Sequence, residues 1–210
     1  MTEKDRLTRW DLLPLAGLLA LAAFTLHVWG RLPDPLPAHW EAGWRPNGWL
    51  PKDSAVCFMF GVPVGMWIFI RLIAGYAVSS DEWKADIQLR AMRPLRALLC
   101  AGLCILMSLT VTIPLYGPAM FWPTAAAFLA FLGLGIGLMV LIVERELPAE
   151  HRHLYKGGLL YYNPEDPRLW VEKLIGIGWT LNFARPAAWL VMALLLAFPL
   201  AAALAAVFGR

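Results

Sequence analysis

The chain has 210 residues, 60% of them hydrophobic and only 16% charged, with a mean hydropathy of +0.59. A soluble domain of that length carries about a quarter charged residues, so the composition excludes a water-soluble globule. The formal net charge of +3 comes from Lys and Arg scattered at the ends of apolar segments, which excludes a nucleic-acid-binding surface.

Five apolar segments follow in chain order: residues 10–29, 55–78, 95–115, 123–143 and 186–208. A helix rises 1.5 Å per residue, so about 20 residues cross the ~30 Å hydrocarbon core. The expected fold class is an all-α integral membrane protein with about five transmembrane helices. Lys4, Arg6 and Arg9 ahead of Ala20-Leu21-Ala22 imitate a signal peptide, but the apolar run continues to Trp29, which suits a retained anchor. Trp10 and Trp29 bracket that first segment at belt positions, where an indole keeps its N–H wet.

Residues 31–52, RLPDPLPAHWEAGWRPNGWLPK, separate the first two segments and are too rich in proline for a helix. Pro33, Pro35 and Pro37 lock φ and keep the start of the loop extended. Asn47-Gly48 reads as a tight turn, and Trp40, Trp44 and Trp49 suit the headgroup region. The expectation is a stiff Pro/Trp-rich plate over the helix ends. His39 has three readings: a hydrogen bond that orients the loop, a metal ligand with Glu41 and His27, or a ligand contact. A metal site needs three or four ligands and only one His and one acid are close in sequence, so no metal is expected.

In the second segment Gly61, Pro63 and Gly65 predict a kink. Ser79 and Glu82 form a capping-box pattern that opens a short interfacial helix over 79–94, with Trp83 and Ile87 on one face. The run Gly133-Leu134-Gly135-Ile136-Gly137 lies inside a span, where small residues let a neighbouring helix approach closely. Away from their ends the spans hold no Asp or Glu. An ion-coupled transporter or proton pump usually needs such a group, and His27 and Arg71 lie near interfaces. Cys57, Cys100 and Cys104 read as small buried hydrophobes.

In the loop 144–185, Tyr161-Tyr162 reads as a strand, 163–167 as a turn and 168–171 as a return strand. Residues 176–183 are too apolar for a solvated linker, so the loop should fold into a small ordered cap that holds a β-hairpin. Five units result: 1–78, the first two spans and the plate; 79–94, the interfacial helix; 95–143, a helical hairpin; 144–185, the cap; and 186–210, the fifth span.

Charge orients the chain. Lys4, Arg6, Arg9, Arg71, Lys84, Arg90, Arg93, Arg96, Arg145, Arg152, Lys156, Arg168, Lys173 and Arg185 fall on one side, against Arg31, Arg45, Lys52 and Arg210 on the other. The positive-inside rule then places the amino terminus and the cap in the cytoplasm, and the plate and carboxyl terminus outside. The expected location is a bacterial inner membrane, crossed several times.

Leu32, Pro33, Pro37, His39, Trp40, Pro46, Asn47, Gly48 and Lys52 resemble the pattern of the amino-terminal domain of SdpI-like membrane proteins, a family named for immunity against a secreted peptide toxin. Gly43 comes one place early here, with Trp44 where glycine is expected. The resemblance implies a peptide ligand met outside, at Pro33, Pro37, His39, Trp40, Asn47, Gly48 and Lys52. A second stretch resembles a short bacterial family of unknown function: Tyr161, Tyr162, Asn163, Pro164, Asp166, Pro167, Arg168, Val171, Lys173, Gly176, Gly178, Trp179, Thr180, Asn182 and Phe183 match. Glu172 and Leu174 depart from its Pro and Arg.

No Gly-x-Ser-x-Gly or His-Glu-x-x-His occurs, and neither Ser54 nor Ser108 has a base nearby in sequence. The leading expectation is a non-enzymatic immunity or sensing protein with no catalytic residue and no cofactor. Besides the lipid bilayer, its partners would be a peptide outside and a cytoplasmic regulator or membrane protein, with no nucleic acid. The latter would dock on Tyr161, Tyr162, Asn163, Asp166, Arg168, Lys173, Trp179, Thr180, Asn182 and Phe183. The alternatives are an accessory subunit of a transporter or envelope complex and, third, a metal-dependent membrane enzyme centred on His39.

Overall fold

A computed structural model describes residues 7–41, 45–76, 82–157, 159–175 and 178–208. The chain divides into two compact units, Met1–Met139 and Val140–Arg210. Ser79 of the expected capping box, Lys4 and Arg6 of the basic start, and Gly43, Trp44 and Gly176 of the matched patterns lie outside the described residues.

The first unit begins with a 3-10 turn, Arg9–Asp11, leading into α1, Leu12–Val28. The Thr8 N–H and hydroxyl both donate to Asp11 Oδ2, at 2.8 and 3.0 Å, and fix that start. Helix α1 is apolar all round, the signature of a helix whose solvent is lipid or protein on every side. Leu12, Leu15, Leu19 and Leu26 are each more than half exposed, which water would not tolerate at this density. A hairpin follows, β1 (Leu36–Trp40) with β2 (Pro46–Leu50), and then α2, Lys52–Tyr76.

Helix α3 runs unbroken over Glu82–Met107. The expected division at residue 94, between an interfacial helix and a span, is therefore absent. Pro94 cannot donate to the carbonyl four residues back, but it is fully buried, and a single missing bond does not end a helix fixed on both sides of it. Helix α2 likewise continues through its buried Pro63.

The interruption comes instead at Ser108, between α3 and α4 (Leu109–Tyr116). There the Ser108 N–H is shared between Cys104 O and Ile105 O, both at 3.2 Å. Its hydroxyl donates to Ile105 O at 2.6 Å, the back-bonding that bends helices. Pro114 removes another donor from the short helix α4.

After a 3-10 turn, Pro118–Met120, α5 covers Phe121–Glu146. Four segments are long and apolar enough to cross a membrane: Arg9–Arg31, Lys52–Ala74, Trp83–Tyr116 and Pro118–Glu146. The protein is thus a multi-pass membrane protein by length and composition. The third segment is the central one, because 44% of its apolar window is buried against 22% or less in the others. Both α1 and α2 lie along it.

The core gathers at the hairpin end of this unit, where Leu21 and Val28 of α1, Ala55 and Met59 of α2, Cys104, Val111, Leu32 and Leu36 meet. Of the glycine run in α5, Gly135 alone faces a neighbour closely. A Cβ there would stand 3.3 Å from Leu98 Cβ and 3.4 Å from Leu95 Cα of α3, whereas Gly133 and Gly137 face open space.

Two ionised side chains sit just inside the ends of the apolar segments. Asp11 Oδ1 accepts from an Arg96 Nη at 2.6 Å and from the Trp67 indole at 3.0 Å. Both charged side chains are at least nine-tenths buried. The expectation that charge stays out of the spans except at His27 and Arg71 therefore needs this correction. A charge near a segment end is retained in the bundle when an opposite charge from another helix meets it.

The second unit carries two small hairpins, β3 (Tyr155–Lys156) with β4 (Leu160–Tyr161) and β5 (Trp170–Glu172) with β6 (Trp179–Leu181). Helix α6, Pro186–Phe208, closes the chain, and Pro186–Ala197 is its apolar described stretch. The expected pairing of the strand at 161 with the return strand at 168–171 does not form, since each pairs with a different neighbour. Residues 163–167 are held as a loop by side chains, and their two prolines offer no ladder donor.

Candidate functional site

The loop 31–52 folds into a pleated hairpin whose turn is closed by the Glu41 N–H donating to Arg45 O at 3.0 Å. Asn47-Gly48, expected to make the turn, lies inside β2 instead. Its register explains the glycine. His39 pairs with Gly48, and a Cβ on Gly48 would come within 3.0 Å of His39 Cβ, so glycine serves close strand approach rather than reversal. His39 Nδ1 and Asn47 Oδ1 meet at 2.5 Å in a hydrogen bond across the hairpin that orients the ring. His39 thereby fits the first of its three readings. Among the described residues no three His, Cys, Asp or Glu side chains converge as metal ligands, so His27, His39 and Glu41 are not brought together.

Other bonds anchor the hairpin to the helices. Asp34 Oδ1 accepts the Lys52 N–H at 3.0 Å, satisfying a donor of the first turn of α2 and placing negative charge at its positive end. The Lys52 ammonium turns back over the Trp29 ring, 4.5 Å from its centroid, and reaches Trp29 O at 3.4 Å. Arg31 donates to the Tyr116 hydroxyl at 3.2 Å. Leu36 is wholly buried among α1, α2 and α4.

Between hairpin and helices lies a groove of about 420 Å³, lined by Pro37, Ala38 and Trp40 of β1, Leu50 of β2, Phe58 of α2, and Met107 and Thr110 of the α3–α4 bend. Of the seven residues expected to bind a ligand, Pro37 and Trp40 face this groove. His39, Asn47 and Gly48 brace the hairpin, Lys52 ties its foot, and Pro33 is exposed away from it. Phe58, Met107 and Thr110 escaped sequence reasoning because they lie inside apolar helices, where nothing marks an inward position beneath a loop.

The residues expected in the cap separate into a buried network and a surface. Asn182, fully buried, accepts at Oδ1 from the N–H groups of Asn163 (3.0 Å) and Ala184 (3.2 Å). Its Nδ2 donates to Asn163 O (2.8 Å) and Asp166 O (3.0 Å). Asp166 accepts from Arg168 at its backbone N–H (3.0 Å), Nε (2.9 Å) and an Nη (2.7 Å), and from the Tyr161 hydroxyl at 3.1 Å. The Arg168 side-chain and backbone hydrogen bonds hold the Asp166 carboxyl well below the usual carboxylate range, and the same pairing raises Arg168.

Arg185 closes the loop on Pro164 O (3.0 Å) and Asp166 O (2.9 Å). Phe183 meets Trp189 edge to face at 5.3 Å. Thr180 sits opposite Val171 in the β5–β6 ladder, and Lys173 extends it through its N–H to Gly178 O at 3.1 Å. On the surface stand Tyr162, Trp179 (65% exposed) and a residue the sequence reading passed over, Trp170 (51% exposed).

Two family models match parts of the chain. A domain of unknown function, DUF1648, covers residues 16–62, which hold most of α1, the hairpin and the first half of α2. A family of unknown function, DUF5808, covers residues 164–189, from the Asp166 loop to the start of α6. No curated protein and no solved structure matches.

Proposed function

We propose that this chain is a non-enzymatic membrane protein of the immunity or sensing kind, which takes an apolar side chain of a membrane-active peptide into the groove beneath its hairpin. The groove itself carries the reading. A solvent-excluding linker between two spans needs no cavity, yet this hairpin is bonded at both feet and spans an apolar hollow of peptide-side-chain scale. Trp40, rigid and amphipathic, is the anchor expected at such a site. The resemblance to SdpI-like immunity proteins supports the same reading. In this scheme α6 is the fifth span, the hairpin faces outward, and the cap faces the cytoplasm of a bacterial inner membrane, as the Lys and Arg distribution suggests.

A strain lacking the gene, challenged with secreted membrane-active peptides, should be several-fold more sensitive to at least one of them. The wild-type gene should restore resistance, and Trp40→Ala or Phe58→Ala should not. Unchanged sensitivity across the panel, together with a stable membrane protein co-purifying with the chain, would favour the second reading, an accessory subunit docked through the cap. The exposed Trp170, Tyr162 and Trp179 support that reading.

A further inference from the structure

The cap of the second unit is tied at both ends to helices that are apolar up to the point where it begins. Helix α5 turns charged at Glu144-Arg145-Glu146, and the chain folds back at once. Arg152 donates to Leu147 O at 3.2 Å, and the Tyr162 N–H donates to Leu154 O at 2.8 Å. At the other end Trp189, in the first turn of α6, donates its indole N–H to Phe183 O at 3.1 Å, and the Phe183 N–H reaches Tyr161 O at 3.0 Å. Two hydrogen bonds thus join strand β4 to the start of α6. A cap held this way borders the layer of lipid headgroups, about 5–7 Å deep on each side, where the apolar part of α5 ends.

One face of the cap is aromatic. Glu172 pairs with Trp179, and side chains two apart in a strand point the same way, so Trp170, Glu172 and Trp179 share a face of the β5–β6 hairpin. Val171 points the other way and is buried. Both indoles are more than half exposed, and surface of the same kind resumes at Trp189 and Leu190 of α6. Neighbouring bare indoles are costly in water, whereas the headgroup layer takes the ring and leaves its N–H wet. Exposed Glu172 on the same face, with exposed Lys173 beside it, sets the depth: hydrocarbon would reject them and headgroups do not.

We infer that the Trp170–Trp179 face of the β5–β6 hairpin lies in the headgroup layer of the bilayer that α5 crosses, which makes the cap a lipid-surface contact. Lipid is the occupant because it already stands at the level where both tethers end. The inference requires α5 to be a span and is independent of the peptide reading of the groove.

The test is tryptophan quenching of the full-length protein in phosphatidylcholine nanodiscs, where both faces of the bilayer are open to solutes. Subtracting the emission of the Trp170→Phe, Trp179→Phe double variant from that of the wild type isolates these two among 11 tryptophans. Bromine near the carbonyl end of the acyl chains should quench this difference several-fold more than aqueous iodide does. Trp122→Phe, at the other end of α5, supplies the reference for a residue of the span itself. Bromine quenching at Trp122 but iodide quenching at Trp170 and Trp179 would overturn the inference and leave that face for a protein partner. Iodide quenching at all three would overturn the seating of α5, and the inference with it.

Discussion

Asp11 and Arg96 show how position within a segment decides the worth of a charge. Removing one partner of a buried pair strands the other, so Asp11→Ala should cost about 3–5 kcal/mol, read as a lowered unfolding temperature in detergent, whereas Asp11→Leu with Arg96→Met should recover most of it. The exposed pair Arg90–Asp86 on the same helix sets the contrast: Asp86→Ala should cost about 0.5 kcal/mol or less. In the cap, Asn182→Ala deletes four hydrogen bonds from a fully buried side chain. A loss of about 2–4 kcal/mol follows, visible as faster hydrogen exchange at the Asn163 and Ala184 amides. Asp166 adds a pH dependence with a definite sign. Its carboxyl is depressed by Arg168, so the stability it contributes is complete above the unfolded value of about 4 and is lost as pH falls through the lower folded value. Asp166→Asn should flatten that acid limb of the cap's Trp fluorescence and leave the cap less stable at pH 7.

Among the elements, glycine spacing in α5 announced close approach without saying which residue made it. Three glycines two apart cannot all face one helix, because positions two apart point about 200° away from each other. Gly135→Leu should therefore separate α3 from α5 and reduce folded yield strongly. Gly133→Leu and Gly137→Leu, facing open space, should behave as wild type by size-exclusion profile. The same limit applies to Asn47-Gly48. The pair is the strongest short turn signal in the loop, yet cross-strand contact with His39 required glycine at 48 and a bond to His39 required asparagine at 47. Local propensity lost to register. Proline alone does not end a helix here, since α2 and α3 run on through Pro63 and Pro94.

For the whole molecule, apolar length and the tally of Lys and Arg carry the membrane reading, and an orientation that labelling can check. Membrane-impermeant maleimide should modify a cysteine placed at Arg45 in intact cells, and one placed at Trp179 only after the membrane is opened. Labelling of position 179 from outside would overturn the proposed orientation. Hydropathy is a sum along the chain, so the sequence by itself marked five apolar segments, four of which form helices long and apolar enough to cross a bilayer, and its prolines marked residues 31–52 as no span. Its aromatic and Asn-Pro patterns marked Pro37 and Trp40 of the groove, and Tyr161, Asn163, Asp166, Arg168 and Asn182 of the buried network. Only the tertiary structure decided which strand pairs with which, that His39 bonds Asn47 across the hairpin, that Asp11 meets Arg96, and that Phe58, Met107 and Thr110 complete a groove with Trp40. Those facts depend on which faces of separate helices meet across distances of tens of residues, and a pattern read along one chain has no variable that records it.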